Sequence, residues 1–274
     1  MKKFQWMLYM LGLLTLASCE DVIDVDLDEG QPLIAVDGWV TDQPGPYKVT
    51  LTRTAVYFNN APTPRVQGAV VTLADNEGNI ETLKESEPGI YLTSTLQGKV
   101  NHAYTLTIKV EGEEYRAQTE IRRTAPVIDS LGIEFKKETA FFDEGYYIKY
   151  FGPEIPGIGD NYWFKVIKND TLLNKPENLI VSEDKLVDGK YINDIIINDD
   201  PFKVGDRVRV ENWSITDDAY QFLLELQTQI QNSGPFSTPP ANVRTNIKNV
   251  NPNGKQAVGY FGGASISKKS IDIK

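Results

Sequence analysis

The sequence predicts a mainly β protein: a β-sandwich over residues 33–125, then a second β-rich domain over 126–274 with one amphipathic helix near 216–232. Three observations predict it. Between Leu33 and Arg122 apolar and polar residues alternate with period two, and turn residues recur about every ten positions. Helical periodicity is missing there and concentrated in one segment, "SITDDAYQFLLELQTQIQNSGP". The chain has a single cysteine, Cys19, so stability must come from apolar cores rather than a disulfide framework.

The N-terminus comes first. Lys2 and Lys3 precede an apolar run from Met7 to Leu16, too short to span a bilayer core of about 30 Å and laid out as a signal peptide over residues 1–18. The run ends in Leu16, Ala17, Ser18 and Cys19, and this L-A-S-C resembles the lipobox of bacterial lipoproteins. The resemblance implies that Cys19 is diacylated through sulfur and becomes the acylated N-terminus, a palmitate-type anchor. The competing reading is an ordinary secretory signal with an incidental thiol. Residues 19–32 then carry Glu20, Asp21, Asp24, Asp26, Asp28 and Glu29, with no Lys or Arg until Lys48. Such a tract buries too little apolar area to fold alone and is expected to act as a solvated tether. Its alternating acids have the look of a calcium loop, but Glu29 stands where that loop needs glycine. Acids directly behind the lipidated cysteine resemble the surface-export signal of Bacteroidota lipoproteins, which implies that Glu20 and Asp21 direct display on the cell surface.

In the first sandwich, "PYKVTLTRT" places Tyr47, Val49 and Leu51 on one face and Lys48, Thr50 and Thr52 on the other. "AYTLTIKVEG" does the same with Tyr104, Leu106, Ile108 and Val110. "GAVVTLADNEGNIETL" reads as two strands joined around Asn76 to Asn79, where Gly78 supplies a positive φ. Gly68-Ala69-Val70-Val71, Gly78, Pro88-Gly89-Ile90-Tyr91, Gly98 and Tyr104 resemble the carboxypeptidase-regulatory-like repeat, which implies a small Ig-like sandwich. His102, the only histidine, has no His or Cys partner in the pattern and is expected to be a surface or hydrogen-bonded side chain rather than a metal ligand.

"RRTAPVIDSLGIEF" marks the joint, with Pro126 stopping one pattern before Ile128, Leu131 and Ile133 begin another. "FFDEGYYIKYFGPEIPGIGDNYWFKVIKND" reads as two aromatic β segments around a Pro and Gly loop at Gly152 to Gly159. Tyr162, Phe164 and Val166 alternate as core; Phe141, Phe142, Tyr147 and Phe151 fit either core or an exposed stacking platform. In the helix, Thr216 is the expected N-cap, Asp217 and Asp218 suit the positive end, and Gly234-Pro235 stop the chain. Ala219, Leu223, Leu226 and Ile230 form a stripe expected to lie on a sheet face.

The ending adds Pro239-Pro240, Asn242, Asn246-Ile247 and Gly259-Tyr260-Phe261. With "VGDRVRVENWSITDDAYQF", "LIAVDGWVTD", "PYKVTLTRT" and "GAVVTLAD" in this order, essentially the whole chain from Cys19 resembles DUF4249, a Bacteroidota lipoprotein family of unknown function.

Removal of residues 1–18 takes Lys2, Lys3 and no acid, so the formal charge moves from −10 to −12. This argues against nucleic acid and against electrostatic adhesion to anionic lipid, both of which need clustered cations. No P-loop, dinucleotide fingerprint, G-x-S-x-G or available thiol is present, so neither enzyme chemistry, cofactor nor metal is expected. The expected role is a non-enzymatic binding or accessory component beside a TonB-dependent β-barrel transporter, with Phe151 and Phe236 on the Gly152–Gly159 and Ser233–Pro240 loops as candidate contacts. The alternative is a hydrolase using two carboxylates on glycan or peptide, which would need a buried pair in an aromatic cleft. Asp129-Ser130-Leu131 and Asp170-Thr171-Leu172 resemble Bacteroidota O-glycosylation sites, which implies Ser130 and Thr171 as acceptors; chance tripeptides are the competing reading.

Overall fold

Residue-by-residue alternation in the chain becomes seventeen strands in the computed structural model, which describes residues 31–55, 62–232 and 241–274. Leu16, Ala17, Ser18, Cys19, Glu20, Asp21, Gly234, Pro235 and Phe236 lie outside the described residues. The first half of the chain supplies β1 (Ile34–Thr41), β2 (Lys48–Arg53), β3 (Val70–Asp75), β4 (Ile80–Thr82), β5 (Lys84–Glu87), β6 (Ile90–Leu92), β7 (His102–Val110) and β8 (Glu113–Ile121). Then come β9 (Ser130–Lys136), β10 (Gly145–Pro153), β11 (Asn161–Lys168), β12 (Thr171–Leu172), β13 (Ile180–Glu183), β14 (Tyr191–Ile196) and β15 (Arg207–Ile215). Helix α1 (Asp217–Gln231), β16 (Lys248–Asn249) and β17 (Ala257–Asp272) close the chain. The protein is mainly β, with several sheets and one α-helix among the described residues.

A nine-stranded sheet, in the order β12-β11-β15-β17-β1-β2-β6-β5 with β13 also paired to β11, is the common wall. A five-stranded sheet, β16-β8-β7-β3-β4, covers one half, and a three-stranded sheet, β14-β10-β9, covers the other. The alternation expected for the first half is what fills the first core: Tyr47, Val49, Leu51, Tyr104, Leu106, Ile108 and Val110 are all buried. The second core gathers Tyr162, Phe164 and Val166 with Ile148, Tyr150, Val208 and Val210. Of the aromatics left open by the sequence, Tyr147 is fully buried and Phe141 is 89% exposed.

The joining strand is β17. Its first half runs parallel to β1, Ile34 opposite Ala257 through Thr41 opposite Ala264, and its second half runs antiparallel to β15. Odd-numbered residues therefore serve both cores, with Ala257 and Phe261 in the first and Ile271 and Ile273 against the second. The boundary expected at 125/126 does not divide the cores, because Ile247, Ala257 and Phe261 from the C-terminal part complete the first one and the sheet runs across it. The joint itself is pinned to the same strand, since Ala125 N–H donates to Ser265 Oγ at 2.9 Å and Ile128 N–H to Ser267 Oγ at 3.1 Å. Gly259 explains why the Gly-Tyr-Phe sequence begins with glycine: its φ is +94°, and a Cβ there would lie 2.0 Å from the Val36 carbonyl oxygen.

Helix α1 packs on the opposite, even-numbered face of the wall. Thr216 caps it through a 3.2 Å bond accepted from Ala219 N–H, and Asp217 and Asp218 occupy the first turn, as the sequence predicts. Ala219 and Leu223 are buried, but Ile230 is 43% exposed. Tyr220 and Phe222 take over the contact, because the sheet beneath ends in bulky tryptophans rather than aliphatics.

Candidate functional site

Beside α1 the even face of the wall is not fully covered, and there the three tryptophans of the described residues converge from three strands. Trp163 on β11 and Trp213 on β15 are directly opposed in register, with ring centroids 5.5 Å apart. Trp39 starts two strands from β15, on β1, yet its centroid lies 5.2 Å from Trp163 and 5.8 Å from Trp213. It gets there by lying across β17 over Gly262, its register partner, where a Cβ would come within 2.3 Å of the indole. Glycine at 262 is therefore a matter of space. Phe222 of α1 stacks on Tyr260 at 4.6 Å and 19°, and the Tyr260 hydroxyl donates to Asp218 at 2.7 Å, so helix and shelf are joined edge to edge.

Lys165, two residues after Trp163 and therefore on the same face, fills the centre. Its Nζ sits 3.4 Å from the Trp213 ring centroid, 3.6 Å from Trp163 and 5.9 Å from Trp39. Burial pushes its amine down to about 7, while Glu211, opposite it in register, and Asp37 draw it upward. The indole faces add cation–π attraction for the charged form. Glu211 is held by Trp213 Nε1–H at 2.9 Å and by Arg209 at 3.2 Å. Asp37 keeps an exposed edge, yet the protein packed around its carboxyl raises its pKa, against the pull of Lys165 and Lys48. Trp39, Trp163 and Lys165 are each only partly buried. The result is an open shelf of aromatic faces rimmed by two acids and two amines.

A second polar cluster lies at the far end of β10. Glu154, Asp160 and Asp184 are 3%, 3% and 1% exposed, with oxygens all within 4.8 Å of one another. Each is tied into the loop: Tyr162 O–H donates to Glu154 at 2.8 Å, Gly159 and Asp160 N–H to Asp184 at 2.9 and 3.0 Å, and Arg123 pairs with Asp160. Burial, and after it the hydrogen bond donated to Glu154, keep the Tyr162 phenol protonated well above the usual range. Among the described residues these three carboxylates are the group that would suit a metal ion. The spacing 154, 160, 184 matches no motif, so the sequence reading missed them. The shelf was missed for the same reason, its residues being spread over four separate strands.

The other sequence candidates fall elsewhere. Phe151 lies within β10, half-buried, with Gly132 of β9 beneath its ring, so it is a strand residue rather than a loop tip. Ser130 opens β9 and Thr171 lies in β12, both exposed. His102 Nε2 faces Glu77 at 3.0 Å, which raises its pKa, and Nδ1 meets the Val100 carbonyl at 3.0 Å. An open concavity of about 360 Å³ between β7, β8 and the start of α1 is lined by Tyr104, Gln118, Glu120, Asp218 and Tyr260. No helix among the described residues is long and apolar enough to cross a membrane.

Comparison with curated proteins finds no match. A family model described as a domain of unknown function, DUF4249, matches residues 20–270, from just behind Cys19 into the last strand, and the chain belongs to that family.

Proposed function

We propose that this protein is a lipid-anchored outer-membrane lipoprotein of Bacteroidota type, displayed on the cell surface, that works without catalysis as a ligand-binding accessory to a TonB-dependent β-barrel transporter. Its N-terminal sandwich is of the carboxypeptidase-regulatory-like kind in this reading. The observation that carries the binding role is the shelf of partly exposed Trp39 and Trp163 around Lys165, backed by the buried Trp213. Aromatic faces on a rigid scaffold supply contact area with little entropy to lose, and flanking charges fix orientation. Lipidation at Cys19 and display through Glu20 and Asp21 confine the protein to the membrane plane, which raises its effective concentration near a barrel without a large interface.

The buried acids favour this reading over the hydrolase. Glu154, Asp160 and Asp184 spend their oxygens on backbone N–H groups, Tyr162 and Arg123, which suits a loop support better than an acid and base facing a substrate. The test is affinity purification of the tagged lipoprotein from detergent-solubilised outer membranes. A β-barrel transporter should co-purify. If none does, with or without crosslinking, and the purified protein cleaves a glycan or peptide, the accessory reading gives way to the hydrolase.

A further inference from the structure

We propose that the tryptophan–lysine shelf binds a neutral saccharide, with the Trp39 indole as stacking platform and Asp37 and Lys48 as partners of the sugar hydroxyls. The inference rests on the reading of the shelf as the binding surface and adds the class of ligand.

Four features of the shelf lead there. Trp39 is laid across the glycine at 262, so a flat indole rather than an upright one tops this part of the sheet. A flat aromatic surface matches the apolar C–H face of a pyranose ring, as aromatic faces match other planar partners. The Asp37 carboxylate has no hydrogen-bond partner, and Lys48 no ion pair, among the described residues. Both project from the face that carries Trp39, since Asp37 is two residues away on β1 and opposes Thr50, two residues from Lys48 on β2. They offer an acceptor and a donor beside one ring face, the combination that vicinal hydroxyls take up.

Charge then selects among ligands. Lys48 repels a cationic ligand and Asp37 and Glu211 an anionic one, so a charged ligand of either sign meets a like charge at the rim. A cationic ligand meets a further obstacle, because Lys165 already covers the faces of Trp163 and Trp213. A neutral polyol meets neither penalty. The shelf is a sheet face beside α1 rather than a walled cleft, so a chain can cross it without its end entering.

The test uses the purified lipoprotein in detergent. Trp6 lies in the signal segment, so in the processed protein every tryptophan belongs to the shelf and indole emission reports that surface alone. The probes are cellohexaose, xylohexaose, mannohexaose and chitohexaose, with the cationic chitosan hexamer and the anionic galacturonate hexamer as charged counterparts. At least one neutral hexasaccharide should change the emission saturably and bind at least about tenfold more tightly than either charged one. Asp37→Ala, which touches an exposed side chain, should weaken that binding about fivefold with an unchanged circular dichroism spectrum, and Trp39→Ala should abolish it. Silence with all four neutral probes, or equal binding of a charged hexamer, overturns the saccharide assignment. Co-purification of the barrel is unaffected by that outcome, so failure here and failure of the accessory reading are told apart.

Discussion

Gly262 decides where Trp39 lies, and Trp39 decides whether the shelf exists. Gly262→Ala should lift the indole off β17, red-shift the emission as Trp39 gains solvent, and cost about 1–3 kcal/mol by overpacking, measured by urea unfolding. Lys165 makes a prediction in pH. Its folded pKa is about 7 against an ordinary 10.5, so the folded state favours the neutral amine. The stability contribution is complete above pH 10.5 and is lost as pH falls to about 7. Lys165→Met should therefore gain on the parent as pH is lowered through that window, with the difference levelling off below 7; a flat difference would mean that the indole cage fully offsets burial. None of this was legible in the sequence. Each tryptophan sits in an alternating strand like any core residue, and what singles the three out is a convergence that only the sheet order produces.

At the scale of elements, local signals served well and long-range ones left no trace. The helix was legible because its cap and its acidic first turn are local chemistry; Thr216→Ala should cost about 1 kcal/mol in unfolding free energy. The strands of the first half of the chain were legible because one face is buried and the other wet. The parallel pairing of β1 with β17 was not, since residues 34 and 257 meet without any mark near either. The glycines of "GYFGG" were recognisable as a pattern, but their cause is contact: Gly259 on Val36, Gly262 on Trp39 and Gly263 on the Glu120 carbonyl. The loop after β10 depends on Arg123, which reaches from the joint to Asp160 and faces three buried acids. Arg123→Ala should destabilise the fold at the low end of about 3–5 kcal/mol, because the guanidinium keeps 30% of its surface exposed. Chemical denaturation of this variant beside Arg123→Lys would show how much of the cost is charge.

At the scale of the whole molecule, the proposed lipid anchor and acidic export signal each carry a test. Cys19→Ala should move the protein out of the membrane fraction, and fatty-acid labelling should disappear with it. Glu20→Ala with Asp21→Ala should leave lipidation intact and lower protease accessibility on whole cells. In the proposed role the shelf meets a ligand at the cell surface, and site-specific photocrosslinking on living cells tests that most directly. A benzoylphenylalanine replaces Lys48 on the shelf in one strain and Lys84 on the edge strand β5 in another. A light-dependent adduct of higher mass is expected from position 48 and none from position 84. Adduct at 84 with none at 48 would contradict it.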